Sequence, residues 1–305
     1  MDPPGGRTSL TTDVATRPGA QSPGRAVPAW SLVVGGVVSV QFGGALAATV
    51  IPALGPSGTV ALRLGLGMLI LLAIVRPNVR RLTRRDVAAV VGFGVVLGAM
   101  NLSFYEALAR LPMGVAVTIE FVGPLGLAAA LSRRRRDVAA VSLAALGVVA
   151  VNGRELGHIN WAGVGFALLA GTMWAAYVLL SGETGQRLPK LDGLALAMVV
   201  ASAMVVPLGI AHAGSALLQP RYLLLGLVIA VLSSVLPYSL ELIALRRLAP
   251  SVFGVLMSLE PAVAAGAGLI VLGQRLGALQ LAGMACVVAA SVTITRPAKA
   301  ASLDI

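Results

Sequence analysis

Five ionisable side chains, Arg63, Glu106, Glu120, Glu241 and Glu260, lie inside long apolar runs of this sequence. An ionisable group at bilayer depth costs several kcal/mol unless it faces a cavity or a partner, so these residues are the natural starting point for chemistry. A guanidinium offers paired N–H donors that match a carboxylate. A carboxylate sheltered from water can hold an ammonium group or carry a proton. The bland alternative is a buried ion pair that only fixes packing.

Helical rise sets the expected depths. Arg63 falls roughly 9 Å below the outer end of its helix and Glu120 roughly 10 to 12 Å below the outer end of its own, level enough to pair. Glu260 enters from the inner side and reaches about 15 Å, the centre of a hydrocarbon core about 30 Å thick. Pro261 follows Glu260 directly and Pro124 follows Glu120 by four positions. Because proline lacks an N–H and frees a carbonyl one turn earlier, both helices are expected to bend where the carboxylates sit.

Glu106, beside Arg110, and Glu241, near Arg246, are expected within a turn of the membrane surfaces, where interfacial salt bridges are common. Gln41, Asn101, Tyr105, Trp174, Tyr177 and Tyr238 are polar or aromatic groups at similar depth. They complete a polar wall or act as interhelical glue, and Tyr177 is assigned to the interfacial aromatic belt.

The elements that must position these groups follow from composition. Of 305 residues, 57% are hydrophobic and 11% charged, with a mean hydropathy of +0.91. A soluble chain carries about a quarter charged residues. Residues 1–28 lack apolar periodicity and read as a disordered tail. Ala45-Leu46-Ala47 has the small-x-small form of a cleavage site, but the apolar run continues past it and no cleavage is expected. Apolar stretches of bilayer-spanning length predict helices at 30–54, 57–75, 87–109, 113–131, 138–152, 161–181, 193–212, 222–245, 250–272 and 278–294.

Loop charge supports that arrangement, because cytoplasmic loops collect Lys and Arg. With the N-terminus inside, the inner segments hold the tail arginines, Arg76 to Arg85, Arg133 to Arg136, Arg187, Lys190, Arg246, Arg247, Arg296 and Lys299. The outer segments hold Arg110, Arg154, Arg221 and Arg275. Both termini are therefore expected in the cytoplasm, with residues 295–305 as a C-terminal tail. The Arg133 to Arg136 run is explained by orientation, with attraction to anionic lipid headgroups in addition.

The sequence also repeats. Gly114-Val115-Ala116-Val117-Thr118-Ile119-Glu120 matches Gly254-Val255-Leu256-Met257-Ser258-Leu259-Glu260 without a gap. Two halves of five helices, 30–152 and 161–294, would enter the membrane from opposite sides. The expected fold class is thus an all-α membrane protein of ten transmembrane helices in two inverted five-helix repeats, an arrangement that places a site at the midplane.

Other chemistries fit poorly. A formal charge of +11 suggests nucleic acid, but the basic residues are scattered between apolar runs instead of gathered on one face. Cys286 stands alone, which excludes an intrachain disulfide and a thiolate metal site. His158 and His212 lack ligand spacing. Gly92-Phe93-Gly94 lacks the spacing of a dinucleotide loop, and Gly94 with Gly98 reads as a close-packing pattern. No cofactor or metal is expected. An intramembrane enzyme would need a nucleophile and base or a metal constellation, and no such cluster is apparent.

Several stretches carry a family likeness: Ala61-Leu62-Arg63-Leu64, Gly98-Ala99-Met100-Asn101, Phe104-Tyr105, Gly114 to Leu125, Trp174-Ala175 with Tyr177, Leu236-Pro237-Tyr238-Ser239-Leu240-Glu241, and Phe253-Gly254 leading into Leu256 to Ala262. Through them the chain resembles the drug/metabolite transporter superfamily (EamA-type) and, within it, the threonine/homoserine exporter group. The resemblance covers nearly everything after the tail. It implies a ten-helix inverted-repeat fold in the cytoplasmic membrane and proton-coupled export of small neutral amino acids, with bulkier drugs or other metabolites as the alternative cargo. Gln274 departs from the glutamate often found there in the superfamily. Arg63, Glu120, Glu260, Tyr238, Glu241, Asn101, Tyr105, Gln41 and Trp174 are the expected substrate or proton pathway.

Overall fold

The computed structural model describes residues 28–132, 142, 147, 160–245, 247–248 and 250–295. The tails, the Arg133 to Arg136 run and most of the expected helix at 138–152 lie outside the described residues. With no water in a bilayer to satisfy backbone groups, an apolar chain closes its hydrogen bonds within helices. Among the described residues, eight helices are long and apolar enough to cross a membrane, and a shorter apolar helix covers 278–293. Leu131, Ile270, Ile74 and Leu224 are each more than 60% exposed, so large apolar side chains clothe the outside. This is a multi-pass, all-α membrane protein.

In chain order the helices are α1 (Ala29–Ala48), α2 (Ile51–Val75), α3 (Arg84–Leu108), α4 (Met113–Glu120), α5 (Val122–Ser132), α6 (Trp161–Arg187), α7 (Asp192–Ala213), α8 (Pro220–Ala230), α9 (Leu236–Leu245), α10 (Pro250–Met257), α11 (Glu260–Leu272) and α12 (Ala278–Thr295). Helix α1 stops at Ala48, short of the expected 54. The chain turns at Thr49–Val50 and re-enters helix at Ile51, with Gly55 at φ 69° bending it before Pro56. Helix α3 begins earlier than expected because Thr83 and Asp86 form a reciprocal capping box. Helix α6 runs on past 181, its last turns carrying a Glu183–Arg187 pair.

The expected bends occur. Helix α4 gives way to α5 at Phe121, and α10 to α11 at Ser258–Leu259. In each case a proline four residues on, Pro124 or Pro261, cannot donate to the carbonyl of Glu120 or Met257. Pro237 has a counterpart effect: α8 joins α9 through a π-turn at Val231–Val235.

Most packing runs between the early and late helices. α2 lies on α7 and α8, α3 on α6 and α7, α1 on α9 and α11, and α4 on α6 and α11. Glycines set the closest approaches. A Cβ at Gly94 would stand 2.5 Å from the Ala197 carbonyl oxygen and from Val200 Cβ, and one at Gly98 would stand 2.4 Å from Met204 Cε. The Gly94 and Gly98 pair therefore seats α3 on α7, as its spacing predicts.

Candidate functional site

The helix breaks and the interior polar residues converge on one cavity of about 100 Å³. Its lining includes Gln41 from α1, Arg63 from α2, Asn101 from α3, Glu120 from the end of α4, Trp174 from α6, Tyr238 and Glu241 from α9, and Glu260 from the start of α11. Eight of the nine expected residues thus share one wall. The ninth, Tyr105, stands just behind it: Arg63 Nη1 donates to its hydroxyl at 3.3 Å, and the guanidinium carbon lies 5.6 Å from its ring centre.

Local packing fixes the carboxylates. At the α4–α5 break the backbone runs against α6 with almost no clearance. A Cβ on Gly123 would fall 1.9 Å from the Gly171 carbonyl oxygen, and one on Gly171 would fall 2.3 Å from the Glu120 carbonyl oxygen. Only glycines permit this contact, which seats Glu120. The other end of α4 is capped by Gln274, whose Oε1 accepts from the Met113 N–H at 2.9 Å. The Gln274 departure therefore serves as a helix cap through an amide oxygen. Glu260 opens α11 and is 6% exposed.

Arg63, 5% exposed, does not pair directly with Glu120 as its depth suggested. Its Nε donates to Ser234 Oγ at 3.1 Å and its Nη2 to the Ser233 carbonyl at 2.7 Å. The fork is turned toward the oxygens of the π-turn. Among the described residues, the ion pairs within 4 Å are Glu106–Arg110 and Glu183–Arg187. The first is partly exposed, which fits the interfacial role expected of Glu106.

Glu241, expected either at the inner interface or in the pathway, lines the cavity with Glu120 and Glu260, its Cγ beside Gly36 of α1. One assignment changes. Tyr177 is not a belt residue. It lines the cavity between Phe93, 5.2 Å away, and Tyr238, 6.3 Å away, between ring centres. Trp174 packs edge-on against Phe121, at 5.4 Å. The cavity so formed has three carboxylates and one guanidinium between aromatic faces and the apolar side chains of Met100, Phe104 and Met257. It brings opposite charges together within a largely aromatic and apolar lining. Among the described residues, no group of three or more His, Cys, Asp or Glu side chains is arranged to hold a metal ion.

The threonine/homoserine exporter RhtA of Escherichia coli is 40% identical to this chain over 293 residues, which are 92% of this chain and 98% of that protein. The chain belongs to the EamA-type drug/metabolite transporters, in the threonine/homoserine exporter group. RhtA of Salmonella typhimurium matches to the same extent, and the model of the EamA-like transporter family matches residues 161–296. A solved crystal structure shares the fold, with a TM-score of 0.61 at 18% identity over 86% of this chain and 96% of that one. Membership of this EamA-type family makes the protein a transporter, not an enzyme.

Sequence reading of this EamA-type transporter missed Ser39, Ser233 and Ser234. Small hydroxyl residues in an apolar run look like ordinary packing. The usable signal was their place: Ser233 and Ser234 stand four and three residues before Pro237, where a freed carbonyl must find a donor.

Proposed function

We propose that this transporter exports small neutral amino acids of the threonine and homoserine kind across the cytoplasmic membrane, exchanging them for protons. The observation that carries the reading is a cavity lined together by Arg63, Glu120, Glu241 and Glu260. Arg63 has five N–H donors, of which three are taken by Ser234, Ser233 and Tyr105. The guanidinium meets the substrate carboxylate, the two remaining donors making the first contact. Glu120 and Glu241 hold the ammonium, Asn101, Gln41 and Tyr238 meet a side-chain hydroxyl, and Trp174 closes the apolar side. Tyr105 steadies Arg63 from behind, and Glu260 carries the proton. The substrate assignment is further supported by the names of the Escherichia coli and Salmonella typhimurium relatives.

Efflux from cells preloaded with labelled threonine, homoserine, alanine or bulky cationic drugs tests this cargo. Faster loss of the amino acids alone is expected. Faster loss of the drugs alone would favour a multidrug exporter on the same scaffold.

The architecture belongs to the same proposal: ten helices in two inverted repeats, 30–152 and 161–294, both termini cytoplasmic. Support comes from the matched motifs around Glu120 and Glu260, each beside a proline-linked helix break, and from the Lys and Arg asymmetry of the loops. Cysteines introduced at Ser132 and Gly157 should react with impermeant reagents from opposite sides of the membrane. Equal reaction from outside would remove the ten-helix arrangement.

A further inference from the structure

Pro237 creates a backbone defect that the two earliest helices repair. Proline has no N–H. In α register its missing donor leaves the Ser233 carbonyl, four residues back, without a partner. In the π register adopted here it leaves the Leu232 carbonyl, five residues back, in the same state. The π register is visible at the turn's end, where the Leu236 N–H donates to the Val231 carbonyl.

Both carbonyls are closed from outside. Ser39 Oγ on α1 donates to the Leu232 carbonyl at 2.7 Å. Arg63 Nη2 on α2 donates to the Ser233 carbonyl at 2.7 Å, while its Nε holds Ser234 Oγ. Gly43 on α1 makes room for the turn, since a Cβ there would stand 2.2 Å from Ser233 Oγ. An unmade backbone bond is costly in a membrane, and single π-turns within helices recur at functional sites. The turn sits directly before Tyr238 and Glu241, two of the cavity's walls.

We propose that Pro237 is a positioning residue for substrate: by denying the Ser233 carbonyl its α-register donor it leaves that carbonyl as the resting partner of Arg63, and a substrate carboxylate must take the guanidinium from it to bind. Loading the cavity then loosens the π-turn, and α9, with Tyr238 and Glu241, is freed to move relative to α8. This rests on the amino-acid exporter reading above. Each substrate molecule is held less tightly than the charges alone would allow, and the difference drives the turn.

The test uses the purified full-length protein with labelled threonine, and isopropanolamine, which lacks the carboxylate, as a competing probe. Pro237→Ala lets the turn return to α register, in which residue 237 donates to the Ser233 carbonyl, and so releases Arg63. The Kd for threonine should tighten about tenfold, the scale of one hydrogen bond to a charged group. Maximal exchange should fall severalfold, and competition by isopropanolamine should stay unchanged. Ser234→Ala keeps the proline and the backbone but removes the Nε acceptor, and should shift the threonine Kd in the same direction. If Pro237→Ala does not fold, Ser234→Ala decides: a tighter Kd supports the proposal and an unchanged one overturns it. An unshifted Kd in folded Pro237→Ala, or an equal shift for isopropanolamine, overturns it while wild-type exchange still supports the exporter reading. A wild-type protein that neither binds nor exchanges threonine brings down both.

Discussion

Arg63→Ala is expected to abolish transport and to lower stability by about 1 to 3 kcal/mol, the usual cost of leaving a buried hydrogen-bonding group unsatisfied. The side chain ties α2 to Tyr105 on α3 and to the π-turn before α9, so its loss strands the Ser233 carbonyl in an apolar interior. The pattern of rescue separates this account from a simple Arg63–Glu120 pair. Arg63→Ala combined with Pro237→Ala restores an internal partner for that carbonyl and should recover about 1 to 2 kcal/mol. Arg63→Ala combined with Glu120→Ala should recover less, because the two groups make no direct contact. Thermal unfolding in detergent reads the difference, and greater recovery with Glu120→Ala would show that the pair matters after all. Neither double variant should transport, since both lack the carboxylate-binding group. Arg63→Lys should also fail, because an ammonium cannot reproduce the fork.

Glu260→Gln should keep exchange of labelled threonine while losing accumulation against a gradient. The amide preserves shape and hydrogen bonding but carries no titrating proton. Glu260 shares the cavity lining with Glu120, Glu241 and Arg63. In a proton-driven cycle the carboxylate takes up a proton on the outer side as substrate leaves and loses it inside before substrate binds again. Wild-type export should therefore rise as the outside is made more acidic than the cytoplasm and collapse with an uncoupler. Exchange by Glu260→Gln should be indifferent to both. Full uphill transport by Glu260→Gln, with wild-type pH dependence, would assign proton carriage elsewhere, with Glu120 and Glu241 the remaining titrating carboxylates of the cavity.

Much of this site was legible from sequence because charge in an apolar run has few reasons to exist. Depth along each helix brought Arg63 and Glu120 to one level and Glu260 to the midplane, and Pro124 and Pro261 foretold the breaks beside the carboxylates. What sequence misplaced depended on rotation and on partners from distant helices. Tyr177 was assigned to the interfacial belt, and Glu241 was left between interface and pathway, by their distance from the span ends, but position along a helix does not say which way a side chain faces or where bends carry it. The Arg63–Glu120 pair was inferred from equal depth. It failed because the oxygens of the Ser233–Ser234 turn are nearer partners, and those are created by a proline about 170 positions away in sequence. Span ends shifted where a local signal outweighed hydropathy, as with the Thr83–Asp86 box before α3 and the kink at Gly55 in α2.

The central claim, that this cavity carries a small zwitterionic amino acid across the membrane, is tested most directly by counterflow in proteoliposomes containing only the purified protein. Vesicles loaded with unlabelled threonine should transiently accumulate labelled threonine and homoserine, and Arg63→Ala vesicles should not. Folded wild-type protein that shows no counterflow of either amino acid, or the same counterflow when Arg63 is replaced, would contradict the account.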